Sequence, residues 1–482
     1  MTRTGALRAA LLALAVAGCA VGPDYHVPLV EVPARWSEAP AMGEGAPETP
    51  SRWWTVFGDE ELDSLVDRAV RANLDVQNAE ARVREARANR TVAAAPLWPQ
   101  ATSSGQFTRS LPSENASGGA GSSAATGSFG GQSFSPSNLF QSSFDASWEI
   151  DVFGGIRRSV EAANANLGAS IYDRDDVLLT LLGDVARNYI ELRGFQRQLE
   201  VARSNLASQE DTLELTRARY QGGLAADLDV AQAEAEVETT ASNIPTLEIS
   251  YAQSLHRLGV LLGQDPGTLA AELSESRPIP AAPSELPAGM PSDLLRRRPD
   301  IRRAERQLAS ATAQVGVATA DLYPKFSLVG SAGLESIAAS DFFTAGSKLW
   351  SFGPSITWPI FQGGQIVGNI EVRNAQAQQA LLTYRQTILT ALEDVDNAIV
   401  AFTRERNRRE TLAAAVRSNQ RAFDHATALY ERGLADFLNV LLAQRNLYQT
   451  QTDLAQSETS VSTDLVALDK ALGGGWDAFA TP

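Results

Sequence analysis

The sequence repeats one order of elements twice, and this duplication restricts its possible folds more than any other feature. Residues 300–325 (DIRRAERQLASATAQVGVATADLYPK) align without gaps on residues 75–100 (DVQNAEARVREARANRTVAAAPLWPQ). Residues 429–440 (LYERGLADFLNV) align in the same way on residues 219–230 (RYQGGLAADLDV). Each half shows a helix, a proline, alternating segments, a long helix, a glycine turn and another helix, so we predict a tandem duplication.

Three segments alternate apolar and polar side chains with the period of two that is typical of β-strands. They are FQSSFDASWEID at 140–151, KFSLVGSAGLE at 325–335 and SFGPSITWPIF at 351–361. A fourth strand near 98–109 is predicted from the duplication rather than from its own pattern. Each segment has roughly the 9–11 residues that a strand needs to cross a membrane. Pro354 and Pro359 are unfavourable inside a paired strand and weaken the last of these predictions locally.

A soluble β-sandwich would alternate in the same way, but the chain offers no further apolar strands to cover such a face. Trp148 and Trp358 lie near the strand ends that lead into the long helices, which favours an aromatic girdle at a membrane interface. Four strands cannot close a barrel, and open strand edges are not tolerated in lipid. Closure therefore needs several chains. Two chains would give eight strands, three would give twelve and room for a passage, and the residues leave that choice open.

Two long stretches without proline predict helices over about 155–220 and 363–430. At 1.5 Å per residue the first would be about 100 Å long, so we expect these helices to project into the periplasm as a helical tube.

The N-terminus, MTRTGALRAALLALAVAGCA, predicts an export signal over residues 1–18, because its apolar run is too short to span a bilayer. Val16-Ala17-Gly18-Cys19 resembles the lipobox of bacterial lipoproteins, in which the cysteine is lipidated and becomes the mature N-terminus. The alternative is an incidental cysteine in an ordinary signal peptide. Ala20 follows the cysteine, whereas an Asp there favours retention in the inner membrane, so we expect the outer membrane.

Composition argues against several classes of function. A net charge of −16 without Lys/Arg clusters disfavours nucleic-acid binding. One cysteine and three scattered histidines (His26, His256 and His425) give poor support for Cys/His catalysis or a zinc site. We therefore expect no enzyme activity, no metal and no cofactor other than a covalent lipid on Cys19.

Four motifs carry a family resemblance: CAVGPDYHVP (19–28), RRRPDIRRAERQLASATAQVGVATADLYPKFSLVGSAG (296–333), FQGG (361–364) and ALGGGW (471–476). They resemble the TolC-like outer-membrane efflux factors, specifically the lipoprotein branch that serves resistance-nodulation-division pumps. The resemblance implies a mainly α fold with a membrane β-barrel. The family assembles as a homotrimer with a 12-stranded barrel, a periplasmic α-helical barrel and a small mixed equatorial region. It also implies a periplasmic adaptor of the membrane-fusion type and an inner-membrane pump as partners.

The resemblance also implies roles for the two glycine turns. In this family such turns contact the adaptor, and the matching residues here are Gly222, Gly223, Leu224, Ala225, Gly433, Leu434 and Ala435. A helix C-cap with no partner explains either turn equally well.

A periplasmic gate is also implied, held by a tyrosine that matches Tyr430 and lined by acidic residues. Asn439 and Leu442 occupy the positions where relatives commonly have Asp, so an acidic ring does not carry over. Asp436 is an alternative acidic residue, although it also suits a simple helix cap. Leu442 would instead form an apolar constriction that gates by dewetting.

The predicted segments run in order from a signal peptide to a C-terminal tail. They are 1–18 (signal), 19–58 (lipidated extended segment), 59–262 (first repeat), 263–298 (Pro-rich equatorial linker), 299–472 (second repeat) and 473–482 (tail). The expected function is a passive exit duct for small molecules such as drugs. The same duct serving metal ions or a secreted protein is an alternative, and a lipid-anchored coiled-coil spacer is a rival from another class.

Overall fold

A computed structural model describes residues 20–37, 51–111, 113, 136–283 and 293–479 of the chain. These residues fall into two compact units, and each unit takes segments from both predicted repeats. Within the described ranges, the first unit takes its residues from 20–27, 85–167 and 307–380, and the second from 28–84, 168–306 and 381–479. The predicted signal peptide and Cys19 lie outside the described residues.

Helices dominate the described chain. The α-helices are α1 (Glu60–Ala72), α2 (Leu74–Ala94), α3 (Gly155–Gln221), α4 (Asp227–Leu261), α5 (Leu294–Arg297), α6 (Pro299–Ala320), α7 (Gln365–Glu431) and α8 (Phe437–Ala471). The helices α3 and α7 have 67 residues each, and α4 and α8 have 35 each. These equal lengths agree with the predicted duplication.

The first unit contains one antiparallel sheet of four strands in the order β1-β2-β3-β4. The strands are β1 (Gln100–Ser110), β2 (Ser137–Ile150), β3 (Lys325–Ser336) and β4 (Lys348–Thr357). The register sorts the side chains into two faces. We call one the apolar face; its large members are Phe107, Phe140, Phe144, Trp148, Ile150, Phe326, Leu328, Leu334, Trp350, Phe352 and Ile356. The opposite, polar face includes Asp145, Glu149, Ser331 and Ser351, and the hydroxyls of Ser331 and Ser351 are hydrogen-bonded at 3.1 Å.

The structure shifts the fourth predicted strand toward the N-terminus. The prediction of 351–361 is wrong at both ends, because β4 begins at Lys348 and ends at Thr357. Pairing with β3 sets this register, with Leu334 opposite Lys348 and Lys325 opposite Thr357. Pro359 lies beyond the strand, whereas Pro354 is accommodated inside it, on a strand that forms one edge of the sheet.

The two tryptophans predicted to lie at the strand ends make the same contact in both repeats. Trp148 donates its indole N–H to the Leu97 carbonyl at 3.0 Å, and Trp358 donates to the Leu322 carbonyl at 3.1 Å. Since Leu97 and Leu322 are equivalent positions of the duplicated sequence, this junction of helix and sheet is itself duplicated.

The second unit is built around a large apolar core. Asp59 caps α1 by accepting hydrogen bonds from the backbone N–H groups of Glu61 and Leu62. The helix then buries Leu62, Leu65, Val66 and Ala69, at the spacing expected of an amphipathic helix. Two fully buried residues of the preceding turn, Trp53 and Trp54, complete this part of the core.

The segment predicted as a Pro-rich linker belongs in part to the same core. Leu269 and Leu273 are almost completely buried there. The sequence of residues 263–298 is rich in proline, but it has no periodic apolar pattern that would predict the burial of these two leucines.

One carboxyl group is buried in the second unit with no partner among the described residues. Asp469 of α8 is 1% exposed, and neither side-chain oxygen accepts a hydrogen bond. Burial raises the pKa of Asp469 to about 8. The carboxyl is therefore neutral in the folded protein at neutral pH, while it ionises in the unfolded chain.

Asp469→Asn should remove a pH-dependent loss of stability. Between the unfolded pKa of about 3.9 and the folded pKa of about 8, only the folded state holds the proton, so the free energy of unfolding falls as pH rises. The contribution is at most about 1.4 kcal/mol per pH unit. Thermal melts followed by circular dichroism at pH 5, 7 and 8 should show the variant gaining most over the wild type at pH 8.

Asp464→Asn is the matched control, because the pKa of Asp464 is raised by burial and by Glu405 to about 6 only. The gain in stability of Asp464→Asn over the wild type should stop growing above about pH 6. An unchanged gap between wild type and Asp469→Asn from pH 5 to pH 8 would contradict the assignment.

Candidate functional site

The two glycine turns have the same backbone structure. The amide of Leu224 donates to the Arg219 carbonyl at 2.8 Å, and the amide of Leu434 donates to the Leu429 carbonyl at 2.9 Å. Gly223 and Gly433 take the positive φ angles of 69° and 72° that this type of helix end requires. The sequence therefore forms the same left-handed stop at both positions.

Each turn presents one large apolar side chain. Leu224 is 69% exposed and Leu434 is 71% exposed. The flanking alanines, Ala225 and Ala435, are partly buried, whereas Gly222 is exposed. Both turns thus combine glycine and alanine residues with one exposed leucine.

Tyr430 lies at the centre of the packing beside the turns. Its side chain is 3% exposed and packs in a cluster with Leu213, Ala233, Phe437, Val440 and Leu441. The Arg219 guanidinium lies 4.5 Å from the centroid of the Tyr430 ring, and Arg219 Nη1 donates to the Glu431 carbonyl at 3.1 Å. This Arg219–Tyr430 contact joins the end of α3 to the end of α7.

The equivalent residues of the other repeat do not reproduce this contact. Tyr220, the repeat equivalent of Tyr430, is 46% exposed, and the repeat equivalent of Arg219 is Leu429. The duplication therefore preserved the backbone of the turns but not the side chains that connect them. Sequence reasoning did not single out Arg219, because its partner lies more than 200 residues away along the chain.

The three other predicted gate residues are exposed on the isolated chain. Asp436 occupies the N-cap position of α8, but its side chain accepts no capping hydrogen bond. Asn439 is exposed and Leu442 is 49% exposed. Their buried neighbours, Phe437, Val440 and Leu441, hold the opposite face of α8 in the core.

The residues that follow Cys19 are fixed to the first unit. The amide of Val21 donates to the Phe153 carbonyl at 3.0 Å. Arg158, whose side chain is 6% exposed, donates to the Val21 carbonyl at 3.2 Å and to the Asp24 carboxylate at 2.6 Å. Gly22 has a φ of +89°, and a Cβ there would lie 2.4 Å from the Cα of Gly316. Residues 20–24 are therefore held against the start of α3.

Aromatic side chains line both ends of the sheet. Trp148 is 36% exposed and Trp358 is 57% exposed at the helix end of the sheet, as predicted. Exposed Trp98 and Trp350 were not predicted, because Trp98 adjoins a weakly alternating strand and Trp350 lies just before the segment predicted for the fourth strand.

Two kinds of feature are absent from the described ranges, membrane-spanning helices and metal-binding clusters. No helix there has the length and hydropathy needed to cross a bilayer. No group of three or more His, Cys, Asp or Glu side chains there has the geometry to hold a metal ion.

Comparison with known proteins gives a consistent result. The family model for outer membrane efflux proteins matches residues 65–264 and 290–474. The pyoverdine export outer membrane protein OpmQ of Pseudomonas aeruginosa is 35% identical over 447 residues, covering 92% of each chain.

Solved structures agree with the sequence matches. The outer-membrane channel OprN is 34% identical, with a TM-score of 0.86 over 95% of this chain and 100% of that one. The open state of the MtrE outer membrane channel of Neisseria gonorrhoeae is 26% identical, with a TM-score of 0.80 over 95% of this chain and 99% of that one.

Proposed function

Because the chain belongs to the outer membrane efflux protein family, we propose that three copies form one gated exit duct that is recruited by a periplasmic adaptor and an inner-membrane pump. The family assignment makes the protein an outer-membrane efflux channel that extends into the periplasm. Its assembly, gate, lipid anchor and partners are the subject of the proposal.

The observation that carries the proposal is a sheet with one apolar face and two free edges. The edges are β1 and β4, and backbone N–H and C=O groups left unpaired in lipid cost several kcal/mol each. Since β1 is antiparallel to β2, and each later strand is antiparallel to the one before, β1 and β4 run in opposite directions. The β4 edge of one copy is therefore suited to pair antiparallel with the β1 edge of the next.

Three copies give twelve strands, which is the number the family resemblance implies and leaves room for a passage. The apolar face then contacts lipid, and the polar face, with Asp145 and Glu149, faces water. A lipid-anchored spacer without a channel would not need a sheet with one apolar and one polar face.

The gate in this proposal is held closed by the Arg219–Tyr430 contact. It joins the ends of α3 and α7, and a cation over an aromatic ring contributes about 0.5–2 kcal/mol. Asp436, Asn439 and Leu442 are exposed on α8 beside it and are the candidates for the surface that lines the closed end. Leu442 favours a constriction with an apolar component over a purely acidic ring.

The two glycine turns are the proposed adaptor contacts. Leu224 and Leu434 are exposed, so each turn presents one large apolar side chain beside glycines and alanines. Two equivalent turns per copy suit a partner that binds both with the same structural element.

Lipidation of Cys19 is the proposed anchor. Arg158 and Gly22 hold the following residues against the start of α3, directly after β2 ends. Ala20, the first described residue, lies against Gly154 at the end of the sheet that is joined to the long helices. A lipid attached there would enter the membrane beside Trp148 and Trp358.

Tyr430→Ala should open the duct. Loss of the ring removes the partner of Arg219, so reconstituted channels in planar bilayers should show a several-fold higher mean conductance and more time in the open state. Tyr220→Ala is the matched control, because it removes the same side chain from the repeat position that lacks the contact. Closed-state conductance that is equal in the wild type and both variants would contradict the gate, and a wild type that passes no ions at all would reject the channel itself.

Cys19→Ser should abolish lipidation. Cells grown with labelled palmitate should label the wild type but not this variant. Arg158→Gln is the control, since it loosens the attachment of residues 20–24 without removing the thiol, and it should label normally. Palmitate incorporated into Cys19→Ser would falsify the anchor.

A further inference from the structure

The charged residues of the sheet are divided unequally between its faces. The polar face carries four of them: Asp145, Glu149, Lys325 and Glu335. The apolar face carries two in the described strands, Arg109 and Lys348. Both are basic, in a chain with a net charge of −16.

These two basic residues share a second property, which is that both lie toward the same end of the sheet. We call the end at which residues 337–347 connect β3 to β4 the hairpin end. Arg109 is the penultimate residue of β1, at that end, and Lys348 is the first residue of β4. The hairpin end lies opposite the end joined to the long helices, so in the membrane it faces the outer leaflet.

Neither basic group is neutralised by a residue that the structure describes. Both side chains are exposed, and no ion pair or side-chain hydrogen bond joins either of them to another described residue. The one acid in residues 337–347, Asp341, accepts a hydrogen bond from the Ser340 hydroxyl at 3.1 Å. The two charges are therefore free to bind an external anion.

An apolar surface lies at the same end of the sheet. Phe107, Phe140, Phe342 and Phe343 form a chain of ring contacts with centroid distances of 4.7, 6.4 and 5.0 Å. Phe343 is 86% exposed, and Trp350, two residues after Lys348 on the same face, is 79% exposed. Aromatic side chains in this position suit the boundary between acyl chains and head groups.

We infer that Arg109 and Lys348 form a binding site for a phosphate-bearing lipid head group of the outer leaflet, with the adjoining aromatic side chains against its acyl chains. Charge complementarity selects an anionic lipid over a neutral one, and the apolar surface selects a lipid over a free anion.

This inference rests on the proposed assembly, because Arg109 and Lys348 lie on the two opposite edges of the sheet. In one chain β2 and β3 separate them. When β4 of one copy pairs with β1 of the next, each seam receives Lys348 from one copy and Arg109 from its neighbour. A trimer would then have three such sites, each completed by two chains.

The test measures binding of fluorescent bisphosphorylated lipid A to the purified full-length protein in neutral detergent. Each basic residue at a membrane surface contributes about 1 kcal/mol, so Arg109→Gln with Lys348→Gln should weaken binding about 30-fold and either change alone about five-fold. Raising the salt from about 50 mM to about 500 mM should weaken wild-type binding and leave the double variant little changed.

Lys325→Gln is the matched control, because it removes a basic residue from the polar face at the other end of the same sheet. It should bind lipid A like the wild type. Fluorescent phosphatidylcholine should bind weakly and equally to all variants, and inorganic phosphate at millimolar concentration should displace little lipid A. Equal binding by the wild type and the double variant, or an equal loss in Lys325→Gln, would overturn the site. Displacement by inorganic phosphate alone would overturn the lipid in favour of a simple anion.

Conductance and crosslinking, measured on the same samples, distinguish a failure of the lipid site from a failure of the proposed channel function. A wild type that forms conducting trimers but binds lipid A no better than the double variant rejects this site alone. A wild type that forms neither trimers nor channels rejects the proposed function, and the seam site with it.

Discussion

The unpaired edges of the four-stranded sheet are the constraint on which the rest of this structure depends. A sheet whose apolar face suits lipid cannot leave β1 and β4 open there, because the bilayer offers no water to their backbone groups. The described residues of one chain leave both edges unpaired. Pairing between copies is therefore a condition for inserting the sheet at all, and a water-filled bore follows from the number of strands that such pairing brings together.

The same constraint explains how the side chains are sorted. Acidic residues of the strands lie on the face that would line the bore, and the apolar face keeps charge only at the hairpin end, on Arg109 and Lys348. A basic residue at the level of the head groups is tolerated because it meets anions and water rather than hydrocarbon. At the opposite end, Trp148 and Trp358 use their N–H groups on the carbonyls of Leu97 and Leu322, so the junction with the helices is satisfied within the chain.

The two halves share one backbone plan at the turns but differ in the side chains beside them. The turns at Gly223 and Gly433 agree in φ angle and hydrogen bonding. The side chains beside them do not, since Tyr430 is buried under Arg219 while Tyr220 is exposed. Two turns of equivalent backbone structure and an asymmetric contact between helix ends thus coexist within a few residues.

The sequence by itself determined the features that depend on neighbouring residues. The period of two indicated three of the four strands, and glycine indicated the helix ends at the turns. Internal repetition gave the remaining strand and the order of the elements, because each of these signals acts over a few residues or by direct comparison of segments. Tertiary structure alone decided what depends on distant partners. Pairing with β3 placed β4 three residues earlier than its own pattern suggested, packing against the core buried Leu269 and Leu273 of the Pro-rich segment, and folding brought Arg219 to Tyr430. No local pattern encodes such contacts, since their free energy arises only when segments far apart in the chain meet.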